Sequence, residues 1–522
     1  MKKRTTIDLL ILITILVFVN LVSINIFKRF DLSRGHIYSL SKASKNAVKL
    51  LDKRLVIKAY FSKNLPGEYA DSRRFVQDIL SEYQAYSHGN LKFEFHDPAD
   101  EQKLKEEAQK NGIMPVSMRV IENDKLEIRE VYMGLVFYYQ DKIESIPMIK
   151  NTQGLEYDIT GKVKKITSTG LKKLAIFDPN KNQQTNVSTP QDKLATIRQF
   201  LSESYEVSSL DLKKPVEDNI DVLIVAGIED SLEMSQLVNL DQYLMQGGNI
   251  LFFQDRIKTN IQQMTATPIN SNIFRLLATY GITLKTNLVL DVQCGQVNVQ
   301  QQRGMFRVQT PVKYPFFPII NNVNKDNIIV KNLDNIQLVY ASEIDLGNLS
   351  NEIKFEPLLY TSQASGESSM PQLDISYLPF MNTDLRKLLI DDPKIVAGIY
   401  KGTFISNFID HKKNENAVGS TSSGKILLVA DSDFIMEGTG ASVQGNRDFV
   451  LNAVDYMASE ETLINIRSRE TQFKPLKEIK PESKKFVRWF NILFPSILLI
   501  LVGILHYRKE LKRRKHLGEL YE

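Results

Sequence analysis

Two predominantly apolar runs stand at the ends of this chain, LLILITILVFVNLVSINI at residues 9–26 and WFNILFPSILLILVGIL at residues 489–505. Each is about long enough to cross a hydrocarbon core as a helix. Pro495 and Gly503 within the second run are compatible with a spanning helix. No small-x-small cleavage site follows the first run, so it reads as an uncleaved anchor. Between them the pattern is that of a water-soluble body. Residues 56–61 and 91–95 are strand-like, and Phe75, Val76, Ile79, Leu80 and Tyr83 form a helical stripe. A charged helix over 101–111 stops at Gly112, Pro115 follows, and strands are expected at 118–122 and 133–139.

A second alternation begins near Lys172. Residues 174–178 predict a strand, and Leu194, Ile197 and Leu201 predict a helix. The apolar run 221–227 has the character of a strand buried on both faces of a parallel sheet. A helix carrying Leu237, Leu240 and Leu244 ends at Gly247 and Gly248, and a strand at 250–253 follows. Residues 290–420 break the pattern and read as a β-rich insertion. Residues 310–318 look turn-rich, and 362–371 look polar and mobile. The α/β pattern resumes at 425–431 and closes with a helix striped by Val450, Ala453, Val454 and Met457.

The fold class expected is therefore α/β. A thioredoxin-like domain (30–168) precedes a parallel α/β domain (169–458) with its insertion at about 290–420. A charged, proline-bearing stalk (459–485) leads to the second anchor (486–507), and a basic tail (508–522) ends the chain. The thioredoxin-like likeness is one of topology, with Pro115 near the place where that fold carries a cis-proline. The loop after its first strand has no C-x-x-C, so no thiolate is available for redox chemistry.

Charge refines the picture. The chain has 66 basic and 61 acidic residues; stripping residues 1–8 and 508–522 leaves 57 of each. The basic excess thus belongs to the ends, which excludes a basic nucleic-acid-binding body. Lysine and arginine flanking the second run place both termini in the cytoplasm and the body on the far side, the periplasm of a Gram-negative cell. A single cysteine, Cys294, excludes an intrachain disulfide and a cysteine-cluster metal site.

Several motifs invite chemistry and fail on context. Residues 419–425 (GSTSSGK) match seven positions of a P-loop, but Ile426 stands where Ser or Thr is needed, and the loop precedes a strand. The six histidines, His36, His88, His96, His411, His506 and His516, show no ligand spacing. Asp431 and Asp433 sit where a buried parallel strand ends, the place where open α/β sheets bind ligands. They could hold a cation, or they could cap the following turn.

The stretch RFDLSRGHIYSLS, with Arg29, Phe30, Asp31, Leu32, Tyr38, Leu40 and Ser41, resembles the opening signature of the ABC-transporter auxiliary family, in particular its gliding-motility branch. The segments 154–160 (GLEYDIT), 240–248 with Gly247 and Gly248, 431–434 with Asp431 and Asp433, and 445–449 with Asn446 fit the same family in order. The resemblance implies an α/β domain similar to class I amidotransferases or flavodoxins. The elbows after Val225 and Phe253 carry no cysteine, so that activity is not expected. It also implies a non-enzymatic subunit working with an ABC permease and a separate cytoplasmic ATPase, without cofactor or metal of its own. The alternative is a tethered periplasmic solute-binding protein, with its ligand between the α/β unit and the β-rich lobe.

Overall fold

The computed structural model describes residues 39–460 apart from short gaps, the longest at 180–191 and 409–416. It also describes Ile464, Ile466 and Arg467 and a few residues beyond 487. The chain divides into two units, 1–472 and 473–522. The second is helical where it is described, and the Phe490 and Phe494 rings stack at 4.8 Å. Among the described residues no helix is long and apolar enough to cross a membrane. The run 9–26 lies outside those residues, as do most positions of 489–505.

The described part of the first unit opens with the helix Lys42–Lys49 and then a four-stranded sheet. Its strands are β1 (Leu55–Phe61), β2 (Leu91–His96), β5 (Met133–Tyr139) and β6 (Lys142–Ile146), in the order β2-β1-β5-β6. The first two are parallel, and β5 runs against both β1 and β6. Among the described residues, the strands β3 (Val116–Glu122) and β4 (Lys125–Val131) pair only with each other, as a hairpin leaving this sheet. Helices Ser72–Tyr86 and Leu155–Thr167 cover one face and fill a core with Leu55, Ile57, Phe137, Val76, Leu80 and Ile159. The helix Gln102–Lys110 covers the other, where Ala108 packs with Tyr60, Tyr132 and Val136. The cis peptide among the described residues precedes Pro371, and the bond before Pro115 is trans.

The second half is an eight-stranded sheet. Its parallel part contains β7 (Lys173–Phe177), β8 (Glu206–Leu210), β9 (Val222–Ala226), β10 (Asn249–Phe253) and the strand Lys425–Val429. Counted along the chain, these five lie in the order 2-1-3-4-5 of an open doubly wound sheet. Alternate side chains feed two cores. Val222, Ile224, Leu251, Leu427 and Val429 meet Ile197, Leu201, Phe449 and Val450 on one side. Leu223, Val225, Phe252, Ile426 and Leu428 meet Leu240, Leu244, Leu276 and Leu277 on the other. Continuous apolarity in these strands is thus the signature of a sheet covered twice.

The insertion is not a separate lobe throughout. Its strands Asn322–Val323, Ile353–Tyr360 and Ile395–Gly402 extend the main sheet antiparallel beyond Lys425–Val429. Alternation along a strand shows that it is half-buried, but not which sheet it joins. A satellite core remains outside, built on Ile257, Leu288, Tyr314, Phe316, Tyr340, Phe380 and Leu389. Two local expectations are corrected there. Residues 310–318 lie inside the long strand Phe306–Ile320, whose prolines include Pro311 opposite Asn298 and Pro318 opposite Cys294. Residues Ser365–Ser369 form a strand against Asn287–Asp291, and Ser365 is fully buried. A polar composition misled here because paired backbone satisfies itself.

Candidate functional site

Two places gather the residues that the sequence singles out. The first is the carboxyl end of the parallel strands. β9 is followed by Gly227, whose φ of +55° and close neighbour Ser432 favour glycine: an added Cβ would lie 3.0 Å from the Ser432 hydroxyl. β10 is followed by Gln254 and Asp255. Gln254 is buried, accepts from Ile228 N and donates to Ile228 O. Asp255 accepts from Ser432 N at 2.7 Å and from the Ser432 hydroxyl.

Asp431 and Asp433 stand beside them. Asp431 accepts from Phe434 N at 3.2 Å, which caps the turn Asp433–Ile435, and from Val339 N at 2.6 Å. Both Asp431 oxygens thus accept backbone amides in this fold. Among the described residues, no group of three or more His, Cys, Asp or Glu side chains is arranged to hold a metal ion. Burial, reinforced by Asp433, pushes Asp255 up to about 7. Burial, Asp255 and Asp433 hold Asp431 well above the usual carboxylate range. Burial raises Asp433 too, with Lys193 opposing and Glu229 assisting. The cluster can hold a proton near neutrality at Asp255.

This makes stability proton-linked. A carboxyl raised from ~4 in the unfolded chain to a higher folded value stabilises the fold below its unfolded pKa, and that stability is lost as pH rises through the folded value. For Asp255 the window ends near 7. The thermal midpoint of the full chain in detergent should fall between pH 5 and pH 8. The fall should be shallower in Asp255→Asn; an identical slope would show that Asp255 carries no such linkage.

Asn446 extends the same cluster. It is buried, accepts from Gln337 N and donates to Gln337 O, both at 2.8 Å, and donates to Phe434 O. Together with Asp431 and Asn452, which donates to Ile329 O at 2.7 Å, it clamps the chain between residues 329 and 339 onto the α/β unit. Gly247 and Gly248 are also architectural. Gly247 has a φ of +91° after the helix Met234–Met245, and a Cβ on Gly248 would meet the Tyr243 ring at 2.5 Å. The P-loop-like residues 419–425 enter the strand Lys425–Val429 and open no helix.

The second place joins the two ends of the body. Arg29, Phe30, Asp31, Leu32 and Tyr38 lie outside the described residues, but Leu40 and Ser41 do not. Ser41 N donates to Glu156 Oε1 at 2.7 Å, and the Ser44 hydroxyl to the same oxygen at 2.5 Å. Leu40 N donates to Glu82 Oε2 at 2.8 Å. Thr160 bonds to Ser44, and Tyr83 donates to Glu156 O. Two of the sequence motifs, 40–41 and 154–160, thus meet in one buried network. Ser41 also caps the helix Lys42–Lys49 by accepting from Ser44 N.

The exit lies next to the entrance. Ile466 packs with Ala43, with Tyr157 against them. The Arg467 guanidinium is buried, pairs with Asp455 at 3.1 Å, bonds to Asn452 and sits 4.2 Å from the centre of the Tyr157 ring. The Tyr205 hydroxyl donates to Asp455 at 2.5 Å. Lys164 and Glu460 add an ion pair at 2.8 Å. The expected stalk consequently starts later than residue 459. Sequence reading missed Glu156, Arg467 and Asp455 as partners because each is an ordinary helix or linker charge until long-range packing pairs it.

The described residues thus form a two-part α/β body whose entry and exit are clasped together. The family model described as an ABC-type uncharacterized transport system matches residues 147–453, more than half of the chain, and the chain belongs to that family. A domain of unknown function matches residues 34–138. An uncharacterized protein of Borreliella burgdorferi is 24% identical over 530 residues, covering 98% of this chain and 99% of its own. Among solved structures, the mmIFT52 N-terminal domain covers 54% of this chain and 97% of its own at 13% identity and a TM-score of 0.32. A ThuA-like protein from Bacteroides uniformis covers 56% and 93% at 10% identity and a TM-score of 0.29. Likenesses this weak say nothing of activity.

Proposed function

We propose that the chain is a non-enzymatic, membrane-anchored auxiliary subunit of an ABC-type transport complex, of the kind represented by the gliding-motility component GldG. Its partners are a GldF-like permease and a GldA-like cytoplasmic ATPase. The segments 9–26 and 489–505 are its anchors, both termini are cytoplasmic, and the thioredoxin-like and amidotransferase-like halves form a periplasmic body.

The clasp carries this reading. Residues 40–44 follow the first apolar run, residues 464–467 precede the second, and the two stretches pack together. A body that enters and leaves at one point suits two anchors in one membrane docked on one partner. Two attachments to that partner also raise the effective concentration of the body there.

The chemistry agrees. Burial pushes the Cys294 thiol up to about 11, away from the thiolate a nucleophile needs. The test is copurification of the full chain with its permease in detergent. Retention with both runs intact, and loss when 489–505 is replaced by an unrelated spanning sequence, is the expected result. A monodisperse monomer under conditions that keep the permease intact would overturn it.

A further inference from the structure

A groove of about 600 Å³ opens in the satellite lobe, between the base of the hairpin Cys294–Arg303/Phe306–Ile320 and the short helix Leu385–Leu388. Its volume is within the range of small-molecule sites, about 300–1,000 Å³. Two cations line it, Lys313 and Arg386. Among the described residues, no carboxylate lies within ion-pair distance of either. The carboxylate on the rim, Asp384, is engaged in capping: it accepts from Arg386 N at 3.2 Å.

The walls are built rather than loose. Fully buried Asp291 accepts from Gln293 N, Ser362 N and the Ser362 hydroxyl, which fixes the loop carrying Gln293 into the groove wall. The hairpin register breaks between Cys294 and Gln296, the kind of irregularity that re-aims side chains beside functional sites. Lys313 precedes Tyr314, which is anchored by its hydroxyl on Ile375 O at 2.6 Å and by an edge-on contact with Phe317 at 4.9 Å. Arg386 follows Leu385, which is buried in the lobe core. The cations therefore stand on rigid backbone around an apolar floor that includes Ile319 and Leu385.

We propose that this groove binds a small polar solute bearing a carboxylate or phosphate group, with Lys313 and Arg386 as its charge partners. Guanidinium offers forked donors matched to either anion, and ammonium adds a point charge. The site lies within the inserted lobe rather than between that lobe and the α/β unit. It does not rest on assembly with a permease, so either proposal can fail while the other stands.

Cys294 lines the same groove and is the only cysteine of the chain, so it reports on occupancy without mutation. The experiment follows N-ethylmaleimide modification of the full chain in detergent at constant ionic strength. Citrate serves as the carboxylate probe and glycerol 3-phosphate as the phosphate probe. Saturable slowing by either supports the site, and the probe that acts identifies the group. Lys313→Gln/Arg386→Gln should raise the half-saturating concentration at least about tenfold, or ~1.4 kcal/mol. Slowing by neither probe, equal slowing by sodium chloride, or unchanged protection in a variant that melts like the parent would overturn the proposal. Should Cys294 prove unreactive, calorimetric titration with the same two probes decides by the same criteria.

Discussion

Replacing Arg467 by Met should destabilise the body by about 3–5 kcal/mol, because it strips a buried ion pair of one partner. Asp455 is fully buried, and its carboxylate would remain with the Tyr205 hydroxyl as its one strong donor. The double variant Arg467→Met/Asp455→Asn should recover most of the loss, since the stranded charge is then removed. Thermal midpoints of the four proteins of this cycle provide the measurement. Equal losses in the single and double variants would show that the contact with Tyr157, not the ion pair, holds the exit.

The loss should also depend on pH. Burial raises the Asp455 carboxyl, and Arg467 is the main force pulling it back. Without the guanidinium the folded value rises further above the unfolded one. A carboxyl so raised stabilises the fold when protonated and loses that contribution as pH climbs through its folded value. The deficit of Arg467→Met should therefore be smallest in acid and largest at neutral and alkaline pH.

The second large effect is expected at the entrance. Glu156→Leu leaves Ser41 N and the Ser44 hydroxyl without their shared acceptor. Ser41 N is then stranded, while the Ser44 hydroxyl can still turn to the Ser41 hydroxyl at 3.0 Å, so the loss should be about 1–3 kcal/mol. Glu156→Gln keeps an acceptor and should lose less than half as much. Hydrogen exchange at the Ser41 amide localises the effect. Fast exchange there in Glu156→Leu is expected, with protection in β9 changing only as far as global stability does. Unchanged protection at Ser41 would mean that the network is not what holds the entrance.

The sequence made the repeating parts legible, and the physical reason is period. Val222–Ala226 and Lys425–Val429 are apolar at successive positions because each face of the sheet is covered, and that pattern needs no partner to be recognised. Gly247 is readable for a similar reason, since a helix must stop where a residue turns left-handed. Pairing was not readable. Ile353–Tyr360 and Ile395–Gly402 look like lobe strands until hydrogen bonds place them on the main sheet. The prolines of Phe306–Ile320 suggested turns, yet the strand tolerates them.

The candidate site shows the same division. The ambiguity at Asp431, ligand or cap, was visible in the sequence, but its bonds to the Phe434 and Val339 amides were not. Asp255 lies 176 positions before Asp431, and nothing local marks the two as neighbours. The Lys313–Arg386 groove was invisible for the same reason, its two cations coming from a strand and a short helix far apart in sequence.

The clasp has a mechanical consequence. A chain loaded from its two ends normally carries tension through its sheets. Here the ends meet at Ala43, Ile466 and Arg467, so tension would close through that short path and leave β1–β10 unloaded. A pull applied at residues 43 and 466 would therefore part the clasp before it loaded the fold.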